Sequence, residues 1–424
     1  MTPPTNETIH PIGSAEPWKG LWLALLLAVA WAVPGRAQST ATLDSLYRAH
    51  RWLELDRALS RTKGQPLFRG AAAAALNQPK KAEKLLRSVI KAAPKSESAY
   101  QAHELLTHLY LQTGRYHQLA VDLKKTAAAF PDRSDVQAER GTLAPFLSLP
   151  NQAVRRNGLS SLRHQGDFFL PVVIDGHQAT FFFDTGAGIS AMGESEAKRL
   201  GLSIHETTGA IGTATTVPAT FKLAIAKHLS VGGIELKNVS FAVFPDESEP
   251  WALLPPGRRG LLGIPVLLAF RELRWARDGS VEIGPNPSRR DGPGSRLYFD
   301  EDHLMVTADF QGEPLAFSLD TGAESTDLYS PFAARFPDLI RELGQRDSTE
   351  VRGVGRAERF ESVSLPDLTF RIGGLETVLR PAHVILRDLG ARGSLGNVGA
   401  DLLEQGRAFR LDFDSMTLEL ESDR

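Results

Sequence analysis

Two stretches of the chain are nearly the same phrase. FFFDTGAG spans residues 181–188 and FSLDTGAE spans residues 317–324, and each ends an apolar, strand-like run with Asp-Thr-Gly-Ala. The spacing recurs elsewhere. Gly176 and Gly312, Asp184 and Asp320, and Gly263 and Gly399 are each 136 positions apart (320 − 184). Three landmarks at one offset mean an internal duplication, and a unit of that size, written twice, is expected to pack against its own copy.

Within each copy, apolar residues alternate with period two between glycine-marked turns, which predicts strands. FFLPVVIDGHQATFFFD reads as a hairpin turning at Asp175-Gly176, and LMVTADFQGEPLAFSLD as its counterpart turning at Gln311-Gly312. VGGIELKNVSFAVF (231–244) and IGGLETVLRPAHVIL (372–386) are also alike, and the copies close on SVEIG and TLELE. The reading is two mostly-β units, 167–284 and 295–421, joined by a charged Pro/Gly-rich linker at 285–294.

Residues 40–147 change period and read as helices. FRGAAAAALNQPKKAEKLLRSVIKAAPK and LLTHLYLQTGRYHQLAVDLKKTAAAFPD align, with Asn77 on Gly114, Pro79 on Tyr116 and Pro94 on Pro131, each 37 apart (114 − 77). This resembles a tetratricopeptide helix pair, with a weaker earlier copy over LYRAHRWLELDRALS, and implies a surface for a protein partner. Residues 148–166 lack periodicity and read as a linker. At the N-terminus, Lys19, the apolar run 21–33 and Ala37 fit a signal peptide over 1–37, so export to a periplasm or the medium is expected. The alternative is an uncleaved segment that anchors the chain to a membrane.

Composition narrows the chemistry. The chain has no cysteine, which removes disulfides, thiol nucleophiles and Cys-ligated zinc. A net charge of −2 argues against a dedicated nucleic-acid binder. Residues 40–150 hold 17 Lys and Arg against 10 Asp and Glu, so a basic helical part adjoins an acidic remainder. No HExxH, GxSxG, phosphate loop or dinucleotide fingerprint is present, and the eleven histidines are scattered. His103 and His108, five residues apart, read as packing or surface residues. Neither metal nor cofactor is expected.

One Asp at a strand end before Thr-Gly is an ordinary turn. Two, each behind a very apolar strand and facing each other across a twofold seam, are different. Asp184 and Asp320 would lie within a few ångströms, could not both ionise cheaply, and would share one proton. The ionised member could deprotonate a water while the protonated member hydrogen-bonds a substrate carbonyl. Gly186 and Gly322 would let the turns approach and donate N–H groups, and Thr185 and Thr321 could lock them together. Ala187 and Ala323 supply no hydroxyl to the outer carboxylate oxygens, so a pH optimum below about 3 is not expected.

With these motifs in view, residues 167–421 resemble the retropepsin-like branch of the aspartic proteases. The two Asp-Thr-Gly-Ala turns, the hairpin before each, and the apolar elements LLGIPVLL and NVGADLLE after them carry the resemblance. It implies catalytic Asp184 and Asp320 within one chain, a peptide or protein substrate, and hairpin flaps over the cleft. The candidate flap tips are TGAIGTAT, with Gly209, Ile211 and Gly212, and VRGVGRAE, with Gly353, Val354 and Gly355. Four features depart from the pattern: neither flap has a Tyr, Gly188 and Glu324 differ, Ile264-Pro265 stands against Ala400-Asp401, and Asn397 replaces an apolar residue. The expected function is an exported aspartic endopeptidase. The alternative is a non-catalytic peptide- or protein-binding chain on the same fold with a helical scaffold.

Overall fold

The computed structural model describes residues 35–212, 215, 218–285, 294–389 and 393–423. The apolar run at 21–33 and most of the linker at 285–294 lie outside these residues. Among the described residues no helix is long and apolar enough to cross a membrane.

Among the described residues seven helices come first: α1 Gly35–Arg48, α2 Trp52–Leu59, α3 Pro66–Ala75, α4 Pro79–Ala92, α5 Glu97–Gln112, α6 Tyr116–Ala129 and α7 Ser134–Leu143, then a 3-10 turn at Ala144–Ser148. Local chemistry sets their starts. Pro66 and Pro79 open α3 and α4, where a missing N–H costs nothing. Ser96 caps α5 by accepting the Ala99 N–H at 3.1 Å. Gly70 sits inside α3 because a Cβ there would lie 2.6 Å from Leu86 of α4.

The segment expected to be a linker is instead structural. Residues 153–156 form β1 and residues 160–163 form β2. The first β unit continues with β3 Phe169–Ile174, β4 His177–Phe183, β5 Ser190–Gly193, β6 Ile204–Ile211, β7 Ala219–Val231, β8 Ile234–Phe244, β9 Gly260–Leu262, β10 Glu272–Ala276 and β11 Ser280–Ile283, with helices α8 Glu194–Arg199 and α9 Ile264–Phe270. β1 pairs with β8 and β2 with β11, so this segment edges two sheets. Its residues are mostly exposed, and AVRR and SSLR carry no alternating run of apolar side chains, which is why the sequence pattern did not mark them as strands.

The second unit runs β12 Ser295–Asp300, β13 His303–Phe310, β14 Glu313–Leu319, β15 Asp327–Leu328, β16 Gln345–Gly353, β17 Arg356–Leu365, β18 Leu368–Ile372, β19 Leu375–Leu379, β20 Ala382–Ile385, β21 Gly396–Val398, β22 Ala408–Asp412 and β23 Thr417–Glu421, with α10 Ser330–Arg335, α11 Pro337–Leu343 and α12 Ala400–Leu403. Both hairpins read from sequence form, β3–β4 and β13–β14. Asp175-Gly176 and Gln311-Gly312 all have positive φ, the conformation such two-residue turns require.

The two units are joined by backbone pairing. β10 runs antiparallel to β22 with Arg274 opposite Arg410, Leu273 opposite Leu411 and Trp275 opposite Phe409. The resulting strand order β12-β23-β22-β10-β11-β2 makes a floor under both units. One apolar cluster crosses it, from Phe181, Phe183 and Phe270 to Phe317, Leu319 and Leu418. Trp275 stacks on Phe409 at 6.4 Å.

The helical module touches both units. Tyr116 shares a 2.6 Å hydrogen bond with Ser240, and Phe146 packs on Phe221 at 5.9 Å. On the other side, Trp52 donates to Asp300 at 2.9 Å, His50 lies 2.6 Å from the same oxygen, and Asn77 donates to the Phe413 carbonyl at 2.7 Å.

Candidate active site

Each Asp-Thr-Gly-Ala turn follows a buried strand, β4 or β14, and meets the other at the seam. The backbone N–H of Asp184 bonds the Leu262 carbonyl at 3.1 Å, and that of Asp320 bonds Val398 at 2.9 Å. LLGIPVLL and NVGADLLE thus back the two turns from β9 and β21.

Thr185 and Thr321 lock the seam by four reciprocal hydrogen bonds. The Thr185 N–H donates to Thr321 Oγ1 at 3.1 Å, and the Thr321 N–H donates to Thr185 Oγ1 at 3.0 Å. Each hydroxyl then donates across the seam, Thr185 to the Leu319 carbonyl at 2.8 Å and Thr321 to the Phe183 carbonyl at 2.7 Å. Both side chains are 1% exposed, so water cannot replace a lost partner. Thr185→Val strands the Thr321 N–H and the Leu319 carbonyl and is expected to cost about 2–4 kcal/mol. Urea denaturation measures it, and a loss within error would mean that the seam does not depend on this lock.

The lock brings the carboxylates together. Asp184 Oδ1 and Asp320 Oδ1 each lie 2.9 Å from the point a Gly322 Cβ would occupy, so they are separated by no more than twice that distance. A Cβ on Gly186 would lie 2.4 Å from Asp320 Cγ. Only glycine allows these approaches. Each inner oxygen accepts an N–H from its own turn: Gly186 to Asp184 at 2.9 Å and Gly322 to Asp320 at 2.8 Å. The Ala187 and Ala323 N–H groups add further stabilisation of the carboxylates. All eight turn residues singled out from sequence converge here.

Burial raises both carboxyls above their ordinary range. For Asp184 the charge on Asp320 adds to burial and lifts it well above 3.8. For Asp320, the Gly322 N–H and the Asn397 amide oppose burial. A carboxyl that holds its proton more tightly when folded favours the folded state at acid pH. That contribution is lost as pH rises through the folded value. Asp184→Asn is therefore expected to unfold at a higher temperature than wild type at about pH 7, the gap closing as pH falls toward 3.8. Thermal scans at the two pH values check the sign.

The flap residues fall into two groups. Gly353, Val354 and Gly355 lie at the tip of the long β16–β17 hairpin, where Gly355 has φ +108°. The tip reaches the first unit: the Gly355 N–H donates to the Glu249 carbonyl at 2.8 Å, and Arg352 bonds the Glu249 side chain at 3.2 Å. Gly209 and Ile211 instead sit along β6, with Gly212 just beyond. A Cβ on Gly209 would lie 2.5 Å from Phe221 and 3.1 Å from Pro145, so this glycine permits close packing on the helical module. Four residues of that hairpin's tip, 213, 214, 216 and 217, are outside the described residues.

One contact went unrecognised in the sequence. Asn397 Nδ2 donates to Asp320 Oδ2 at 3.3 Å, and Ser318 Oγ donates to Asn397 Oδ1 at 2.9 Å. The signal was present, since Asn stands where the first copy has Leu261, but its direction toward Asp320 needed the β14–β21 pairing. Nearby, burial and the charge on Asp401 push Asp327 up to about 6. Among the described residues no group of three or more His, Asp or Glu side chains is placed to hold a metal.

Comparison with known proteins finds a family match over part of the chain. Residues 170–266 match the sequence model of the family described as aspartyl protease. That stretch includes the first turn, β9 and the start of α9. No curated protein matches the chain. Among solved structures, a retropepsin-like aspartic protease from Rickettsia conorii aligns at 18% identity over 31% of this chain and 93% of its own, with a TM-score of 0.23. The aspartic proteinase from Irpex lacteus aligns at 14% identity over 62% of this chain and 97% of its own, with a TM-score of 0.38. The retroviral protease-like domain of Ddi1 from Leishmania major aligns at 16% identity over 29% and 97%, with a TM-score of 0.18.

Proposed function

We propose that the chain is an aspartic endopeptidase whose Asp184 and Asp320 activate one water for attack on a peptide carbonyl. The observation that carries this reading is the reciprocal Thr185–Thr321 lock, which holds two half-buried carboxyls in one site. In the monoprotonated pair the ionised carboxylate takes a proton from the water. The protonated partner hydrogen-bonds the substrate carbonyl as it becomes a tetrahedral oxyanion. The aspartyl-protease match over residues 170–266 supports the same chemistry.

On this reading the two β units are copies related by a pseudo-twofold axis through the Arg274–Arg410 pair, with an extended substrate strand lying under β16–β17. The helical module is a tetratricopeptide-like array that recruits a protein partner or substrate, and the N-terminal segment directs export with cleavage after Ala37. The reading is tested by incubating the chain with an unfolded protein, with and without pepstatin, beside Asp184→Asn and Asp320→Asn. Fragments that appear with wild type alone, and vanish with the inhibitor, support it. Equal behaviour of all three chains leaves a binding protein on a protease-like fold.

A further inference from the structure

The two halves of the site differ in one respect that bears on the chemistry. β4 pairs with β9 so that Phe182 lies beside Leu261, and β14 pairs with β21 in the same register so that Ser318 lies beside Asn397. The pairs are 136 positions apart (318 − 182 and 397 − 261). An apolar pair behind Asp184 is therefore a hydrogen-bonding pair behind Asp320. Ser318 is itself fixed, because its N–H donates to Ser394 Oγ at 3.0 Å, and Ser394 donates to the Gly396 carbonyl at 2.6 Å. The Ser318 hydroxyl is within reach of two acceptors, the Gly396 carbonyl at 3.1 Å and Asn397 Oδ1 at 2.9 Å, and its proton on the nearer one turns the amide N–H toward Asp320 Oδ2. Leu261, 6% exposed, offers Asp184 no such donor.

We propose that Asn397, oriented by Ser318, is a positioning residue that assigns the protons within the pair, making Asp320 the carboxylate that receives the water's proton and leaving Asp184 as the acid. The inference rests on the peptidase reading. A donor aimed at the outer oxygen of one member favours that member's ionised form. Two identical carboxyls would share the proton evenly, whereas this pair is biased before substrate arrives. Both carboxyls are held above their ordinary value by burial, and the Asn397 amide is among the groups that oppose that rise at Asp320. Asn397 thus supplies from β21 the donor that Ala323 lacks.

The other charged and titratable groups on neighbouring elements are Tyr329, which feels the charge on Asp320, Asp327 on β15, which feels that on Asp401 of α12, Glu324 on the same turn as Asp320, and Asp302, which lies beside Gly188. Tyr329 is hydrogen-bonded to Ser318, and burial with the charge on Asp401 pushes Asp327 up to about 6.

The test is the pH dependence of kcat/KM on an unfolded protein for wild type, Asn397→Leu, Ser318→Ala and Asp327→Asn. Asn397→Leu copies the first half's residue. It should raise the acid limb, so that activity on that limb falls about tenfold relative to the plateau. Ser318→Ala leaves the amide in place but frees its orientation, and should move the limb in the same direction by less. Asp327→Asn should leave the acid limb where it is. Should Asn397→Leu fold with wild-type thermal stability and give a superimposable profile, the inference is overturned. It is also overturned by an equal shift in Asp327→Asn. If Asn397→Leu does not fold, Ser318→Ala decides: an upward shift supports the inference and an unmoved limb overturns it. Loss of cleavage in both Asp variants together with a wild-type profile for Asn397→Leu would sink this proposal and leave the peptidase reading standing. Cleavage by both Asp variants would sink the reading beneath it.

Discussion

Asp184→Asn and Asp320→Asn are each expected to lower kcat on unfolded protein by about a thousandfold or more, with a much smaller change in KM. The expectation follows from the division of labour proposed for the pair. An amide at 320 cannot take a proton from water, and an amide at 184 cannot carry the acidic proton that a developing oxyanion requires. The folded scaffold does not depend on either charge, because the seam is held by Thr185 and Thr321 and the apolar cluster beneath. Circular dichroism should therefore superimpose on wild type. Fragment release by single-turnover assay measures the loss. Cleavage within about threefold of wild type in either variant would remove the pair from the chemistry.

Gly186→Ala is expected to be nearly as damaging without touching an ionisable group. Its Cβ would lie 2.4 Å from both Cγ and Oδ1 of Asp320 and 2.7 Å from Oδ2, so the carboxyl must move or the turn must open. A displacement of about 1 Å in a reacting group can cost about a hundredfold in rate, and overpacking a fixed contact costs about 1–3 kcal/mol. Gly322→Ala should be milder, since its Cβ meets the two carboxylates at 2.9 Å. The measurements are kcat/KM and the urea midpoint of both variants. The expected order is Gly186→Ala below Gly322→Ala below wild type, and the reverse order would contradict the geometry of the seam.

Much of this arrangement was legible before any coordinates. The Asp-Thr-Gly-Ala repeat marked the carboxyls because the motif and its preceding strand are contiguous in sequence, and Asp-Gly and Gln-Gly turns announce hairpins by their own backbone preferences. What escaped notice depends on partners distant in the chain. AVRR and SSLR have no strand pattern of their own and become β1 and β2 only because β8 and β11 present free edges. Asn397 stood out as a polar residue in an apolar element, but only its register beside Ser318 aims the amide at Asp320. Gly209 resembled a mobile tip, yet its contacts are Phe221 and Pro145, the latter from a module that sequence separated from the β units. The Asp300 contacts to Trp52 and His50 likewise join residues about 250 positions apart and carry no local signal.

Those last contacts have a mechanical consequence. The helices grip the first unit through Tyr116 and Phe146 and the second through Trp52 and Asn77, while the floor strands join the same two bodies from below. Bodies tied at two separate places cannot swing apart like a hinged jaw. On the proposed function, a chain entering the cleft would have to displace β16–β17, whose tip is fastened to its neighbour by Gly355 and Arg352 and by Val354 in the apolar cluster with Ala187 and Ala219. Entry on that side would then be a lift of the hairpin, like a latch on a closed box. The helical segment, whatever else it meets, would act as the strap that keeps the box square.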